Sequence, residues 1–450
     1  MRAKPTLLLL AFLLAPLGAH AQSLLELYRQ ALETNPALRS SVFGIEQAKA
    51  QEDLALSKLR PQVSASANHY WTNDRASGIA ARSYQGARAD VQARQALLDL
   101  ASYFKLQGTR FSVSQSEQER DAARMALGWD VVDRYLAVLQ TGDEISRLSA
   151  EKEAVAAQLK RVRFMYERQL AKVTDLYELQ AYYQGLLTKE IEAVNARAVA
   201  LERLRESTGV QVKQVAALAR DSFPAVPGRE EEWMSDAARN NPSLVALQHA
   251  IDAAQKMVWS GRAEHVPQVA LTASRVSSDQ GFDNRIAPPY VVGTVGLQLT
   301  IPLYEGGRVQ ATVRDATARY EMAREKLNGA RRQIERDVRT AYLNARTNYA
   351  RIGSTNEEVR SLDMVTEERK KSYALGASTV VDVLVAQQRL LRARSDQSKA
   401  RYDYIRDLTN LRARAGTLSA QDIGEIDGWM QRSASIREGK EWTSMDTKPD

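Results

Sequence analysis

Tyr373–Gln388 reads YALGASTVVDVLVAQQ, and an earlier stretch, Tyr166–Gln180, reads YERQLAKVTDLYELQ. The two share a skeleton. Tyr373 answers Tyr166, Asp382 answers Asp175, Val383 answers Leu176 and Gln387 answers Gln180, each pair 207 positions apart. Chance rarely keeps one spacing four times, so the chain reads as a duplication, with each copy marking a hairpin where two long helices reverse.

Working outward, the same offset recurs. Asp337-Val338 answers Asp130-Val131, Tyr342-Leu343 answers Tyr135-Leu136 and Gly416 answers Gly209, all at 207. Asn241-Pro242 echoes Asn35-Pro36, Pro267-Gln268-Val269 echoes Pro61-Gln62-Val63 and Leu303-Tyr304-Glu305 echoes Leu97-Leu98-Asp99, all at 206. One inserted residue separates the two registers. The repeats are placed at 22–209 and 230–416, joined by a connector at 210–229 that holds Pro224 and Pro227.

Within each repeat the hydrophobic period changes twice. Leu24, Leu27, Tyr28, Ala31 and Leu32 keep helical spacing, and Asn35-Pro36 breaks it because proline disfavours the helical conformation in the residue before it. From Pro61 the period becomes two: Val63, Ala65, Ala67 and Trp71 alternate with Gln62, Ser64, Ser66 and Asn68, the pattern of a strand with one apolar face. A second such run sets Ala87, Ala89, Val91, Ala93 and Leu97 against Arg88, Asp90, Gln92 and Arg94. These observations predict strands at 61–71 and 86–99 around a polar loop, Thr72 to Gln85, and strands at 267–277 and 290–303 around a loop from Ser278 to Pro289.

Helical spacing then returns. Val138, Ile145, Leu148, Val155, Leu159 and Val162 form a heptad seam. No proline lies between Pro61 and Pro224 or between Pro302 and Pro449, so two long stretches lack the residue most damaging to a helix interior. Helical hairpins are predicted at 101–207 and 305–415. Gly306 and Gly307 are expected to let the last strand bend into the second of them.

Composition agrees, since 44% of the 450 residues are hydrophobic but only 7% aromatic, as in long helices rather than compact enzymes. Arg2 and Lys4, the apolar run Leu7 to Leu14 and Ala19-His20-Ala21 predict a signal peptide over 1–21, whose removal takes the net charge from +7 to +5. No later segment offers the roughly 20 apolar residues of a membrane helix. The chain has no cysteine, so neither disulfides nor thiolate chemistry are available to it. The 62 basic residues are interleaved with 55 acidic ones, the pattern of a solvated helical surface rather than a nucleic-acid patch. His20, His69, His249 and His265 lack metal-ligand spacing, and Glu305-Gly306-Gly307 lacks the Lys-Ser/Thr of a phosphate loop. The reading is therefore not an enzyme, without cofactor or metal. The polar segment 417–450 is expected to be poorly ordered.

Four one-sided strands cannot close a barrel, and open edges in lipid would leave unpaired backbone groups. Two chains would give eight strands with a filled interior, whereas three would give twelve and a conduit. Arg88, Asp90, Gln92 and Arg94 would then line water while the apolar face meets outer-membrane lipid, and the hairpins would form the mouth of the channel. The competing architecture is a periplasmic coiled-coil scaffold without a pore.

The duplication, PLYEGGR at Pro302–Arg308, and Tyr373-x-x-Gly376-x-x-Thr379-x-x-Asp382-Val383-Leu384 resemble the TolC family of outer-membrane efflux channels across the chain to about Gly416. The resemblance implies a mainly α fold with a membrane β-barrel: a homotrimer with a twelve-strand barrel and an α-helical periplasmic tunnel. It also implies partners, a periplasmic adaptor and an inner-membrane transporter, and export either of drugs or of proteins in one step. In that family a polar network closes the periplasmic end. Tyr373 matches its tyrosine, Asp382 a carboxylate ringing the constriction, and Thr174 and Asp175 the threonine and aspartate of the first copy. Ser378 stands where the best-known member has an arginine, and Val385 where it has a second carboxylate. Without the family, Asp175 and Asp382 also read as caps of the returning helices.

Overall fold

The computed structural model describes residues 22–75, 81–220, 222–280 and 286–430. The predicted signal peptide lies outside them. Nine helices and four strands are described, in two similar sets. The first holds α1 (Leu24–Thr34), α2 (Pro36–Ser57), β1 (Gln62–Asp74), β2 (Arg82–Leu98), α3 (Leu100–Glu167) and α4 (Val173–Thr208). The second holds α5 (Glu230–Asn240), α6 (Pro242–Ala263), β3 (Gln268–Gln280), β4 (Ile286–Thr300), α7 (Arg308–Ala374) and α8 (Val380–Arg414), and α9 (Ala420–Asp427) follows.

The 68 residues of α3 and 67 of α7 make rods of roughly 100 Å at 1.5 Å per residue. Toward the sheet α3 packs on α2 and α6, where Arg110 pairs with Glu52 and Gly108 lies against Met257. Toward the far end it packs on α4 and α8, and there Val138, Leu148, Val155 and Val162 are buried with Ile145 and Leu159 beside them. Among the described residues no helix is long and apolar enough to cross a membrane.

The strands form one antiparallel sheet in the order β1-β2-β3-β4. β1 pairs only with β2 and β4 only with β3, so each leaves one edge open. The loops expected at Thr72–Gln85 and Ser278–Pro289 are shorter than their composition suggested. β1 runs to Asp74 and β2 starts at Arg82, with Asn73 opposite Ser83 and Trp71 Nε1 donating to Ser83 Oγ at 2.8 Å. Both faces are polar there, so no period of two marks the ladder. Pro288 and Pro289 lie within β4 beside a register shift between Ser278 and Gln280, where a missing N–H breaks no ladder bond.

The repeats close on themselves in the same way. Asn35 caps α2 through Oδ1, while its Nδ2 donates to Ser207 O at 3.1 Å. Asn241 caps α6, and its Nδ2 donates to Arg414 O at 2.8 Å. Gly209 and Gly416, at φ 71 and 74, end the returning helices in the left-handed conformation. A Cβ on Gly416 would stand 2.6 Å from Asn240 O, so the Asn-Pro turn and the glycine are fitted to each other. Gly306 and Gly307, at φ 60 and 85, turn the chain from β4 into α7.

The connector 210–229 joins the main core, where Val212, Val215, Ala216 and Phe223 are buried. One expectation is corrected: 417–430 is not poorly ordered. There α9 is closed by a Ser419–Asp422 capping box, and Leu418, Ile423, Ile426, Trp429 and Met430 fill the same core against α1 and α3. A helix of 8 residues is too short to reveal a period, and its burial depends on Phe223, whose ring meets Trp429 edge-on at 5.4 Å. Residues 431–450 lie outside the described residues.

Candidate entrance and barrel sites

At the end of α3 the chain reverses through Arg168–Lys172, with Gln169 at φ 62, a left-handed value unusual for a side chain of this kind. Its partner 207 residues on is Gly376, at φ 73 in the second hairpin. The first copy thus holds the same turn at a steric cost that glycine avoids.

The second hairpin is the better ordered by its own polar groups. Thr379 caps α8: its amide and hydroxyl donate to Asp382 Oδ2 at 2.8 and 2.7 Å, and Asp382 N donates back to Thr379 Oγ1 at 3.2 Å. The Thr379 hydroxyl, then its amide, hold the Asp382 carboxyl below the ordinary carboxylate range, with Arg369 adding to the effect. Asp382 therefore caps its helix while staying solvent-exposed. Asp175 differs. It sits in the first turn of α4, but no side chain caps that helix, and its Oδ1 meets only the Thr174 hydroxyl, at 3.5 Å.

Tyr373 ends α7 half-buried, with the Arg161 guanidinium of α3 4.9 Å from its ring centroid. This contact joins the two hairpins. The Ser378 hydroxyl turns back onto Arg369 O of its own hairpin at 3.3 Å. Between the hairpins lies a cleft of about 290 Å³, walled by Val162, Leu170, Leu179, Leu384 and Val385, with Asp175 and Thr379 also lining it. Val385 thus faces an apolar wall. The structure brings Asp175 and the Thr379–Asp382 cap to one cleft, with Tyr373 tied to α3 beside it.

Behind the cleft, polar contacts climb between α3 and α8. Arg147 donates to Glu144 and, at 2.8 Å, to Glu151, which is 6% exposed and accepts from the Tyr182 hydroxyl of α4. Ser395 approaches Glu144, Tyr402 donates to Asp143 Oδ2 at 2.7 Å, and Arg406 pairs with Asp133. Desolvation pushes the Asp143 carboxyl up against the opposing effect of the Tyr402 hydrogen bond, though the residue stays exposed, and desolvation pushes the Tyr182 and Tyr402 hydroxyls up as well. The sequence reading missed this ladder. Its signal was the seven-residue steps from Val138 to Ile145 and from Leu148 to Val155, which skip seam positions, and Glu151 occupies one of them.

At the other end of the rods, Arg88, Asp90, Gln92 and Arg94 share one sheet face with Asn68, Ser66, Ser64 and Gln62 opposite them. Asp90 accepts from Ser66 Oγ at 2.6 Å and Gln92 Nε2 at 3.0 Å, and Arg94 Nη1 reaches Gln298 Oε1 at 3.5 Å. The other face carries Val63, Ala65 and Ala67, then Val91 and Ala93, then Val295, Leu297 and Leu299, with Val295 75% exposed and Leu297 71%.

Known proteins match this architecture. The profile of the family described as Outer membrane efflux protein covers residues 27–210 and 233–417, the two repeats. Outer membrane protein TolC of Vibrio cholerae is 29% identical, over 91% of this chain and 94% of its own length. Alkaline protease secretion protein AprF of Pseudomonas aeruginosa is 29% identical, over 90% of this chain and 86% of its own. The crystal structure of the Campylobacter jejuni CmeC outer membrane channel superposes with a TM-score of 0.79 at 16% identity, covering 91% of this chain and 90% of that one. With both repeats matched and the fold shared, the chain belongs to the outer membrane efflux protein family and is an outer-membrane exit duct with a periplasmic helical extension.

Proposed function

We propose that three copies assemble edge to edge, β4 of one protomer on β1 of the next, into a twelve-strand barrel continued by a helical tunnel. The observation that carries this is the four-strand sheet with two open edges and one broad apolar face. In lipid such edges must be paired, and twelve strands leave room for a conduit where eight do not. Arg88, Asp90, Gln92 and Arg94 then line the barrel lumen. Thr174, Asp175, Tyr373 and Asp382 lie at the periplasmic entrance, where Asp382 recurs three times around the axis.

The duct is passive and takes its energy from an inner-membrane transporter coupled through a periplasmic adaptor. TolC and AprF bear names that point to an outer-membrane protein and to protease secretion, and this chain is read as serving either small-molecule efflux or one-step protein secretion. Those partners choose the cargo. Extraction from the outer membrane should yield a heat-sensitive trimer that conducts ions in a planar bilayer. A soluble periplasmic oligomer without conductance would replace this reading with the scaffold.

A further inference from the structure

The apolar face of the sheet carries a cation. Ala65, Val91, Arg275 and Gly293 stand side by side on the four strands. The row on one side is Val63, Ala93, Ala273 and Val295, and on the other Ala67, Ala89, Ser277 and Val291. Arg275 is exposed, and among the described residues it has no hydrogen bond, ion pair or ring contact. Its neighbours are small. A Cβ on Gly293 would meet nothing within 4 Å, and on the other side Ala65, Ala67, Ala89 and Val91 floor an open groove of about 410 Å³ that Arg275 and Ser277 border.

Its height on the sheet is also informative. The helices leave from one end of the strands, so the β1–β2 and β3–β4 turns point outward from the cell. Beyond the Ser277 row come His69 and Asp279, then Trp71, 75% exposed, the polar and aromatic residues that mark an outer interface. Arg275 lies four residues below Asp279, roughly 10 Å once strand tilt is allowed for. A guanidinium at that depth is unfavourable against hydrocarbon alone. Its stem can lie on the apolar surface while the head rises toward the outer-leaflet phosphates.

We propose that Arg275 binds the phosphate of a phosphorylated glycolipid of the outer leaflet, lipid A, with an acyl chain lying in the Ala65–Ala67–Ala89 groove. The planar guanidinium fits a phosphate through two parallel hydrogen bonds. The inference rests on the reading that this face meets lipid.

The test reconstitutes the full chain in phosphatidylethanolamine vesicles, alone, with lipid A, and with dephosphorylated lipid A, and follows the temperature at which the oligomer dissociates. Lipid A should raise that temperature and its dephosphorylated form should not. The rise should vanish in R275Q and persist in part in R275K, which keeps the charge but not the fork. An equal rise in R275Q and the unsubstituted chain, or an equal rise with the dephosphorylated lipid, overturns the site. If instead R275Q changes single-channel conductance and leaves the lipid response intact, Arg275 faces the lumen and the assignment of faces fails with it.

Discussion

At the proposed entrance Asp382 and Arg161 would act in different ways. Asp382 is fixed by the Thr379 cap and remains ionised to lower pH than an ordinary carboxylate, so in the proposed trimer a threefold ring of it would attract cations despite a net charge of +5 once residues 1–21 are removed. Replacing Asp382 with Ala should lower cation over anion selectivity in bilayer recordings, and unchanged reversal potentials would remove it from the constriction. Arg161 supplies a cation to Tyr373 from the opposite hairpin, where Ser378 offers none. An exposed contact of this kind is worth about 0.5–1 kcal/mol, so Arg161→Ala should raise the open-to-closed ratio roughly two- to fivefold per protomer. Arg161→Lys should restore most of the closed state, and Tyr373→Ala should make the arginine substitution silent. Tyr373 was legible in the sequence through its partner Tyr166, but Arg161 was not. It lies 212 positions from Tyr373, and neither the repeat nor the heptad singles it out.

Along the elements, α3 and α8 are joined by part-buried polar contacts whose cost depends on pH. Desolvation of its carboxyl beside Tyr402 raises Asp143 above 3.8, its ordinary value, although the residue as a whole is exposed, so the folded protein holds this proton more tightly than the unfolded chain does. The penalty for ionising it is absent below pH 3.8 and grows as pH rises through the raised folded value. Solvent screens a group this exposed, so Asp143→Asn should raise thermal stability at neutral pH only slightly, with the gain disappearing as the medium is acidified toward 3.8. A gain independent of pH would place its cause elsewhere. At the C-terminal end, a chain stopping at Gly416 loses Ile423, Ile426 and Trp429 from the core, each worth several kcal/mol by the measure of large-to-small substitutions. It should fail to accumulate as a heat-stable oligomer, whereas a chain stopping at Met430 keeps those side chains. The seam from Val138 to Val162 was readable because a long helix repeats its signal many times. The short α9, and strands with two polar faces beyond the membrane, offer no repetition to read, and only their partners place them.

For the molecule as a whole, closure in the membrane is a matter of edges. Because the chain has no cysteine, pairs introduced on β1 and β4 report on their neighbours without background. A scan of single cysteines along Val63–Ala67 combined with others along Val291–Val295 should give covalent trimers on oxidation in the membrane, at one register only. Dimers alone, or no product at any register, would reject edge-to-edge assembly. The one-sided face of each strand was evident from its alternation, and the need for partners from their number. The pairing of β2 with β3 across the two repeats was not, since nothing local in either strand specifies the other.

The Asn-Pro turns and the glycines that receive them sit together with the main core near the middle of the rods, where they would serve as the fulcrum of any swing of the arms. From the Ser207–Asp130 contact beside the Asn35 turn, about 37 residues of α3 reach to Glu167, an arm of roughly 55 Å. In the proposed trimer, a swing of about 5° about that belt would displace each tip by roughly 5 Å and widen the aperture by about twice that across its diameter. Opening of the proposed entrance by leverage would release the Arg161–Tyr373 contact at the far end and leave the belt unchanged. An adaptor pushing at the tips would have a mechanical advantage, and one pushing near the belt almost none.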